Sequence, residues 1–346
     1  MWPGDSLRKA SSATQTQRIH GSRQPESGNR GDRASPNAEL TVRVVSLLAS
    51  GTEIVCALDA GDMLVGRSHE CDNPEWVQSL PACSSPAFDV SGSSRSIDAE
   101  VRRRMHAGEP LYHIHTDLIR ELAPDVVIAQ THCEVCAVTP NDVERDGGCL
   151  DPSQMVALSA FSVDDIAGSI LAVAERLGIA ERGHALVACE RARLDAVRAA
   201  TAHLSRPNVA LLEWTDPLFA MGNWMPEVVT IAGGTPLLAH PGDYSMATTF
   251  DCVRDADPDF VIVAPCGFPL ARALAEREVL ESYPGWRDLR AVRDGAVAIA
   301  DGNRLFNRSG MTVSRTAEMV AEMLHGVCVG GSSHGTWWRW LDRDAS

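Results

Sequence analysis

Residues 118–133 read LIRELAPDVVIAQTHC and residues 252–267 read CVRDADPDFVIVAPCG. Each stretch sets out a helix end, then Pro-Asp, then a short apolar strand core, then a cysteine just past the strand, Cys133 in the first and Cys266 in the second. A run that is apolar without alternation is what a strand of a parallel sheet needs when helices cover both of its faces. Pro-Asp ahead of such a strand is common in α/β proteins. The shared cysteine and the similar place of the two stretches in their halves favour an internal duplication.

Outward from these two anchors, β-rich runs alternate with helical patterns, the signature of βαβ units. In the first half, residues 42–47 and 63–66 read as strands around a helix at 52–60. A helix ends at 118–122, the anchor strand spans 125–129, and a further strand spans 155–159. Strand signals then vanish. SVDDIAGSILAVAERLG, residues 162–178, and the run that follows to about residue 203 carry apolar residues at helical spacing, with Asp164 and Asp165 in the first turn. Two helices are expected, broken near Gly178 and stopped by Pro207. A second half then opens with a strand at 209–212 and a helix after Pro226. Strands at 260–263 and 297–300 follow, with helices at 270–280, 286–289 and 312–324. The fold class expected is α/β: two similar lobes with mostly parallel sheets, bridged by a long helical segment, with a ligand cleft between them. The expected division is a disordered extension at 1–40, an N-terminal lobe at 41–162, a helical backbone at 163–206, a C-terminal lobe at 207–326 and a tail at 327–346. The tail holds Trp337, Trp338 and Trp340 and reads equally as a docked end or a disordered one.

Composition narrows the function. A chain of 346 residues has room for two cores, and 45% apolar with 5% aromatic residues fits a helix-rich α/β protein. A net charge of -15 with no basic cluster argues against a nucleic-acid partner. No stretch approaches the roughly 20 apolar residues of a membrane span, so membrane insertion is not expected. Residues 1–40 lack the apolar run of a secretory signal, so a cytoplasmic location is expected, or an extracytoplasmic one such as the periplasm if translation starts elsewhere. Ten cysteines in that setting read as thiols or metal ligands rather than disulfides. No nucleophile elbow, P-loop or HExxH motif is present, and Gly233-Gly234 lacks the spacing and the lysine of a phosphate loop.

In open parallel sheets, ligands sit beyond the carboxyl ends of the strands. Those ends carry His69, Glu70 and Cys71 after the second strand, and His132, Cys133, Glu134 and Cys136 after the 125–129 strand. Glu213, Trp214 and Trp224 follow the 209–212 strand, Cys266 the 260–263 strand, and Phe306 the 297–300 strand. Thiols, imidazoles and indole rings are thus expected to converge on one cleft.

VVSLLASGTEIVCAL and VGRSHECDNP, PDVVIAQTHCEVCAV, LLEWTDPLFAMGNWMPEVVTIAGG, and PCGF with DGNRLFNRSG closely resemble the cobalamin-binding-protein branch of the Fe/B12 periplasmic-binding superfamily. The resemblance spans roughly residues 42–326. It implies two α/β lobes joined by a rigid helix, with cobalamin, haem, a siderophore or a metal held between them and passed to an ABC transporter. It makes the chain a non-catalytic binder of a cobalamin-like corrinoid, with His69, Glu70, Cys71, Trp214, Trp224, Cys266 and Phe306 as candidate contacts. The chain departs from that pattern in showing no export signal or lipid-anchor cysteine.

Other readings stay open beside this one. Cys133 and Cys136, at C-x-x-C spacing, would bind zinc or another thiophilic metal only with further ligands brought by folding, Cys71 and His132 first among them. The same pair reads as a redox dithiol, because it follows a strand, or as structural. A cytosolic cofactor-handling enzyme and a zinc-binding protein are therefore the alternatives. Trp214 and Trp224 fit ring-stacking on a macrocycle if Pro217, Gly222 and Pro226 make their segment a loop. Core packing is the bland alternative. His113 and His115 alternate on an extended run and read as ordinary polar residues.

Overall fold

The apolar runs of the first half become strands β1 (Val44–Ser46) and β2 (Leu64–Arg67), a small antiparallel pair β3 (Ser84–Pro86) and β4 (Tyr112–Ile114), then β5 (Val126–Gln130) and β6 (Met155–Leu158). The computed structural model that shows this describes residues 42–131 and 152–342. The first sheet has the order β2-β1-β5-β6 and is parallel throughout, with Val44 opposite both Leu64 and Val126. β5 is buried along its whole length, as a run without alternation requires.

The second half contributes β7 (Asn208–Thr215), β8 (Leu218–Ala220), β9 (Thr235–Leu237), β10 (Met246–Ala247), β11 (Phe260–Val263), β12 (Val297–Ala300) and β13 (Trp338–Trp340). Its parallel strands run β9-β7-β11-β12. Taken in sequence, the parallel strands of both sheets are ordered second, first, third, fourth. The two anchor stretches supply the third strand of each, β5 and β11. This shared permutation is what a duplication leaves behind. It also puts a topological switch point beside β1 in one sheet and beside β7 in the other.

Helix α1 (Ala49–Ala57) follows β1; α2 (Ser94–Ala107) and α3 (Thr116–Leu122) are the further α-helices among the described residues of the first half. The bridge is α4 (Val163–Arg176) and α5 (Ala180–Thr201), with the break at Gly178 where the sequence places it. α4 opens on a capping box, Ser162 accepting from Asp165 N while the Asp165 carboxylate accepts from Ser162 N. Such a cap is worth about 0.5–2 kcal/mol. The second half adds α6 (Met225–Ile231), α7 (Phe250–Asp255), α8 (Leu270–Ala275), α9 (Arg277–Glu281), α10 (Arg290–Arg293) and α11 (Val313–His325). α4 packs on α1, while α5 packs on α4, α6 and α11, so the helical pair is anchored to both halves. Both belong to one compact unit, Thr41–Ser346.

Four local readings are corrected. α2 was not expected, because SRSIDAEVRRRMHA has no apolar stripe; it buries only Ser94 and is held by Ser93 as N-cap and by Arg102–Asp98, Arg103–Glu100 and Arg104–Glu100 ion pairs. The helix expected over 270–280 is two short ones, α8 and α9, meeting at Glu276. The 286–289 helix is a single 3-10 turn. Trp214 lies in strand β7 rather than in a loop. The tail is docked: β13 pairs antiparallel with β12, Trp338 is buried, and its indole N–H donates to Glu322.

Candidate functional site

The carboxyl ends of the two sheets face a common cleft. From the first half come Leu48, Ala49 and Ser50 beyond β1, Glu70 beyond β2 and Gln130 at the end of β5; from the second come Glu213 on β7, residues 221–225 leading into α6, Cys266 and Gly267 beyond β11, and Asn303 and residues 306–309 beyond β12. The space between them is about 720 Å³ with its open mouth included. Tight backbone packing shapes the second wall. A Cβ on Gly302 would fall 2.0 Å from the Pro265 carbonyl oxygen, and one on Gly222 2.5 Å from that of Asp243. Only glycine lets the β12 loop approach Pro265, and residue 222 approach the 243–245 backbone, so closely.

One edge of the cleft is closed by a charge network that joins the halves. Arg308 donates to Glu53 Oε1 at 2.6 Å and to Asp72 Oδ1 at 2.7 Å, and Asn303 Nδ2 reaches Asp72 Oδ2 at 3.3 Å. The Arg308 and Glu53 side chains are 5% and 2% exposed. Burial pushes the Glu53 carboxyl above its ordinary range despite Arg308 beside it. On another side α2 docks across the gap. Trp214 Nε1 donates to the Ser94 carbonyl at 3.1 Å, Ser94 Oγ donates to Glu276 at 2.6 Å with Thr215 on the same oxygen, and Arg95 pairs with Asp216.

The lining itself is acidic and amide-rich. Desolvation raises Glu70 to about 7, with Asp72 adding and Arg308 opposing. Its side chain is still 40% exposed to the cleft, so cleft water screens part of that effect. Glu213 is likewise raised to about 7 by desolvation, against a 2.5 Å hydrogen bond from Ser245. Both acids bind a proton more tightly folded than unfolded. Their contribution to stability is therefore present below the ordinary carboxylate range and is lost as pH rises toward 7. The thermal midpoint of the free protein should fall between pH 5 and pH 8, and Glu213→Gln should flatten that fall; a midpoint that rises over this range in the parent protein would count against these environments.

The periplasmic binding protein profile matches residues 44–303. The chain belongs to the periplasmic binding protein family. Its fold is shared with a periplasmic haem binding protein from Pseudomonas aeruginosa, with a TM-score of 0.63 and 21% identity over 84% of this chain and 95% of that one. A periplasmic vitamin B12 binding protein of Vibrio cholerae superposes with a TM-score of 0.59 and 19% identity over 81% and 95%. An ABC transporter substrate-binding protein from Listeria monocytogenes gives 0.62 and 18% over 83% and 99%. No curated protein matches the chain in sequence.

Within this periplasmic binding protein the candidate residues separate. Glu70, Trp224, Cys266 and Phe306 line the cleft together. Trp214 is not among the residues that line it: its ring packs on Phe268 at 5.1 Å and its indole N–H reaches the Ser94 carbonyl. Cys71 is in the core, 1% exposed, with Sγ 3.0 Å from Thr52 Oγ1, and burial pushes its thiol up to about 11, away from the thiolate a metal needs. His69 sits just behind Glu70, its Nδ1 2.9 Å from Ser84 Oγ; burial, helped by Arg67 and His115, lowers it to about 4, so the ring is neutral. His132, Cys133 and Cys136 lie outside the described residues. Among the described residues no group of three His, Cys, Asp or Glu side chains is placed to hold a metal ion, and no helix is long and apolar enough to cross a membrane. The residues that sequence reasoning missed are Arg308, Glu53, Asp72, Asn303, Asn307 and Gln130. DGNRLFNRSG was visible as a loop beyond β12, but Arg308 finds its partners 236 and 255 positions away, a pairing no local pattern shows.

Proposed function

We propose that this chain captures, without turnover, a corrinoid whose rim carries amides rather than carboxylates, and releases it chemically unchanged. The observation that carries this is the charge of the lining. Among the described residues at the cleft, Arg308 is the one cation, and both of its terminal nitrogens are taken by Glu53 and Asp72. Glu70 and Glu213, with Gln130, Asn223, Asn303 and Asn307, face the same space. Haem propionates entering that space would lose water without gaining a partner cation, a penalty of several kcal/mol per buried charge. Peripheral amides of a corrinoid would donate to the two carboxyl groups and exchange hydrogen bonds with the amide side chains. A hydrogen bond is worth about 0.5–1.5 kcal/mol to the protonated form of these acids and about 1.5–3 kcal/mol to the ionised form.

The haem and vitamin B12 binding proteins that share the fold bracket these two possibilities, and the Listeria neighbour supports delivery to an ABC transporter as the destination. Paired calorimetric titrations of the purified protein with hydroxocobalamin and haemin test the reading. Hydroxocobalamin should bind stoichiometrically and at least about tenfold more tightly, a difference of about 1.4 kcal/mol. Haemin binding that equals or exceeds it would overturn the assignment.

A further inference from the structure

Glu213 stands where β7 breaks register. The β7–β8 ladder shifts between Leu212 and Trp214, and an irregularity of that kind re-aims the side chain it carries. The backbone is pinned at this point, since Cys266 N donates to the Glu213 carbonyl at 3.0 Å. The side chain is pinned as well. Ser245 Oγ donates to Glu213 Oε2 at 2.5 Å and accepts from Gly222 N at 3.0 Å. Ser245 directly precedes β10, whose Met246 pairs with Ala220 of β8. The turn at 222–223 is tied to the same segment, Asn223 N donating to the Asp243 carbonyl at 2.6 Å and Gly242 N to that of Asn223 at 3.1 Å. Glu213 lines the cleft, and among the described residues none donates to its Oε1. Glu70, in the wall of the first half, is held by nothing comparable. Among the described residues no group hydrogen-bonds its carboxyl, the ring nitrogen of His69 stands 4.0 Å away, and 40% of the side chain is exposed.

The two acids therefore differ in what they can refuse. A loose, exposed carboxylate keeps water and swings aside when a like charge approaches, so it discriminates weakly. A carboxylate fixed by its backbone and by a hydroxyl presents the same oxygen to whatever lies before it. An N–H satisfies that oxygen, whereas a second carboxylate meets a like charge, a mismatch that costs several kcal/mol inside a binding surface. We infer that Glu213 is the residue that reads amide against carboxylate on the rim of the cargo, its Oε1 accepting one amide N–H, with Ser245 as its positioning residue and Glu70 adding little to the choice. The inference rests on the corrinoid reading above and names which of the two acids carries the selectivity.

The probes are cobinamide, whose rim carboxyls are all amidated, and cobyrinic acid, in which all are free. Both are used as dicyano complexes, so that cobalt presents the same axial ligands. The whole rim differs between them, so the group that meets Glu213 differs wherever it lies. At pH 8 Glu213, which burial raises to about 7, is ionised. Calorimetric competition gives the ratio of the two dissociation constants even when the acid binds weakly. The parent protein should prefer cobinamide by at least about 100-fold. Glu213→Gln, whose amide can donate to a carboxylate, should cut that ratio at least about tenfold, while Glu70→Gln should move it less than about threefold. Ser245→Ala should lower the ratio in the parent and leave it unchanged in the Glu213→Gln background, because it acts through that carboxylate. A parent ratio near one, a ratio that Glu213→Gln leaves unchanged, or equal shifts in the two glutamine variants overturns the inference and leaves the corrinoid reading standing. A Ser245→Ala effect of equal size in both backgrounds overturns the positioning role. Binding of neither probe overturns the inference, and failure of hydroxocobalamin to bind as well overturns the corrinoid reading with it.

Discussion

Replacing Arg308 with alanine is expected to lower folding stability by about 3–5 kcal/mol, the cost of stranding a buried partner charge. Glu53 lies on α1 and Asp72 beyond β2, both in the first half, while Arg308 comes from the β12 loop of the second. Asp72 retains 30% exposure and can be rehydrated, but Glu53, at 2%, cannot. The penalty should therefore come mainly from Glu53. A double variant, Arg308→Met with Glu53→Gln, removes both buried charges and should recover a large part of the loss. Urea denaturation of the parent, single and double variants measures this. A single variant within about 1 kcal/mol of the parent would show that the network is not buried as described. Because the network forms one edge of the cleft, Arg308→Ala should also weaken cargo capture, whereas the double variant restores stability without restoring the contacts of Arg308.

Trp224→Ala should be comparably costly, about 3–5 kcal/mol for deletion of a buried aromatic ring. The residue is 4% exposed, precedes α6 and lines the cleft. Its loss removes core packing and cleft wall together, so hydroxocobalamin binding should fall at least about tenfold even where the variant remains folded. Trp214→Ala provides the contrast. That ring is not among the residues that line the cleft and rests on Phe268 and against Ser94, so the variant should lose stability yet bind within about threefold of the parent. Equal effects of the two substitutions on binding would contradict this placement.

The contrast between the two tryptophans shows how far the sequence reaches. Pro217 and Gly222 do mark a turn, but the chain turns only after β7 has continued through Trp214 to Thr215, where it doubles back into β8. Turn residues locate the end of a strand and say nothing about how far the strand runs before it. The buried strands were legible because an apolar run flanked by Pro-Asp has few alternatives, and the α4-α5 break was legible because Gly178 adopts a positive φ of 72° that side chains disfavour. α2 was illegible because its exposed surface carries ion pairs instead of an apolar stripe. At the site, Glu70, Trp224, Cys266 and Phe306 could be anticipated from their positions beyond strand ends. Cys71 occupies an equivalent position, but its short side chain turns into the core toward Thr52 and Ser46. Direction after a strand end depends on loop geometry, which spacing alone does not determine. The Arg308 network depends on contacts between halves more than 200 positions apart, and only folding assembles it.

Hydrogen–deuterium exchange with and without hydroxocobalamin locates the binding surface on the intact chain. Protection should appear on both sides of the gap at once, in segments containing residues 48–50 and 68–71 from the first half and residues 221–225, 266–267 and 303–309 from the second. Protection confined to one half, or found on faces remote from these strand ends, would contradict the claim that the cargo is held between the two sheets.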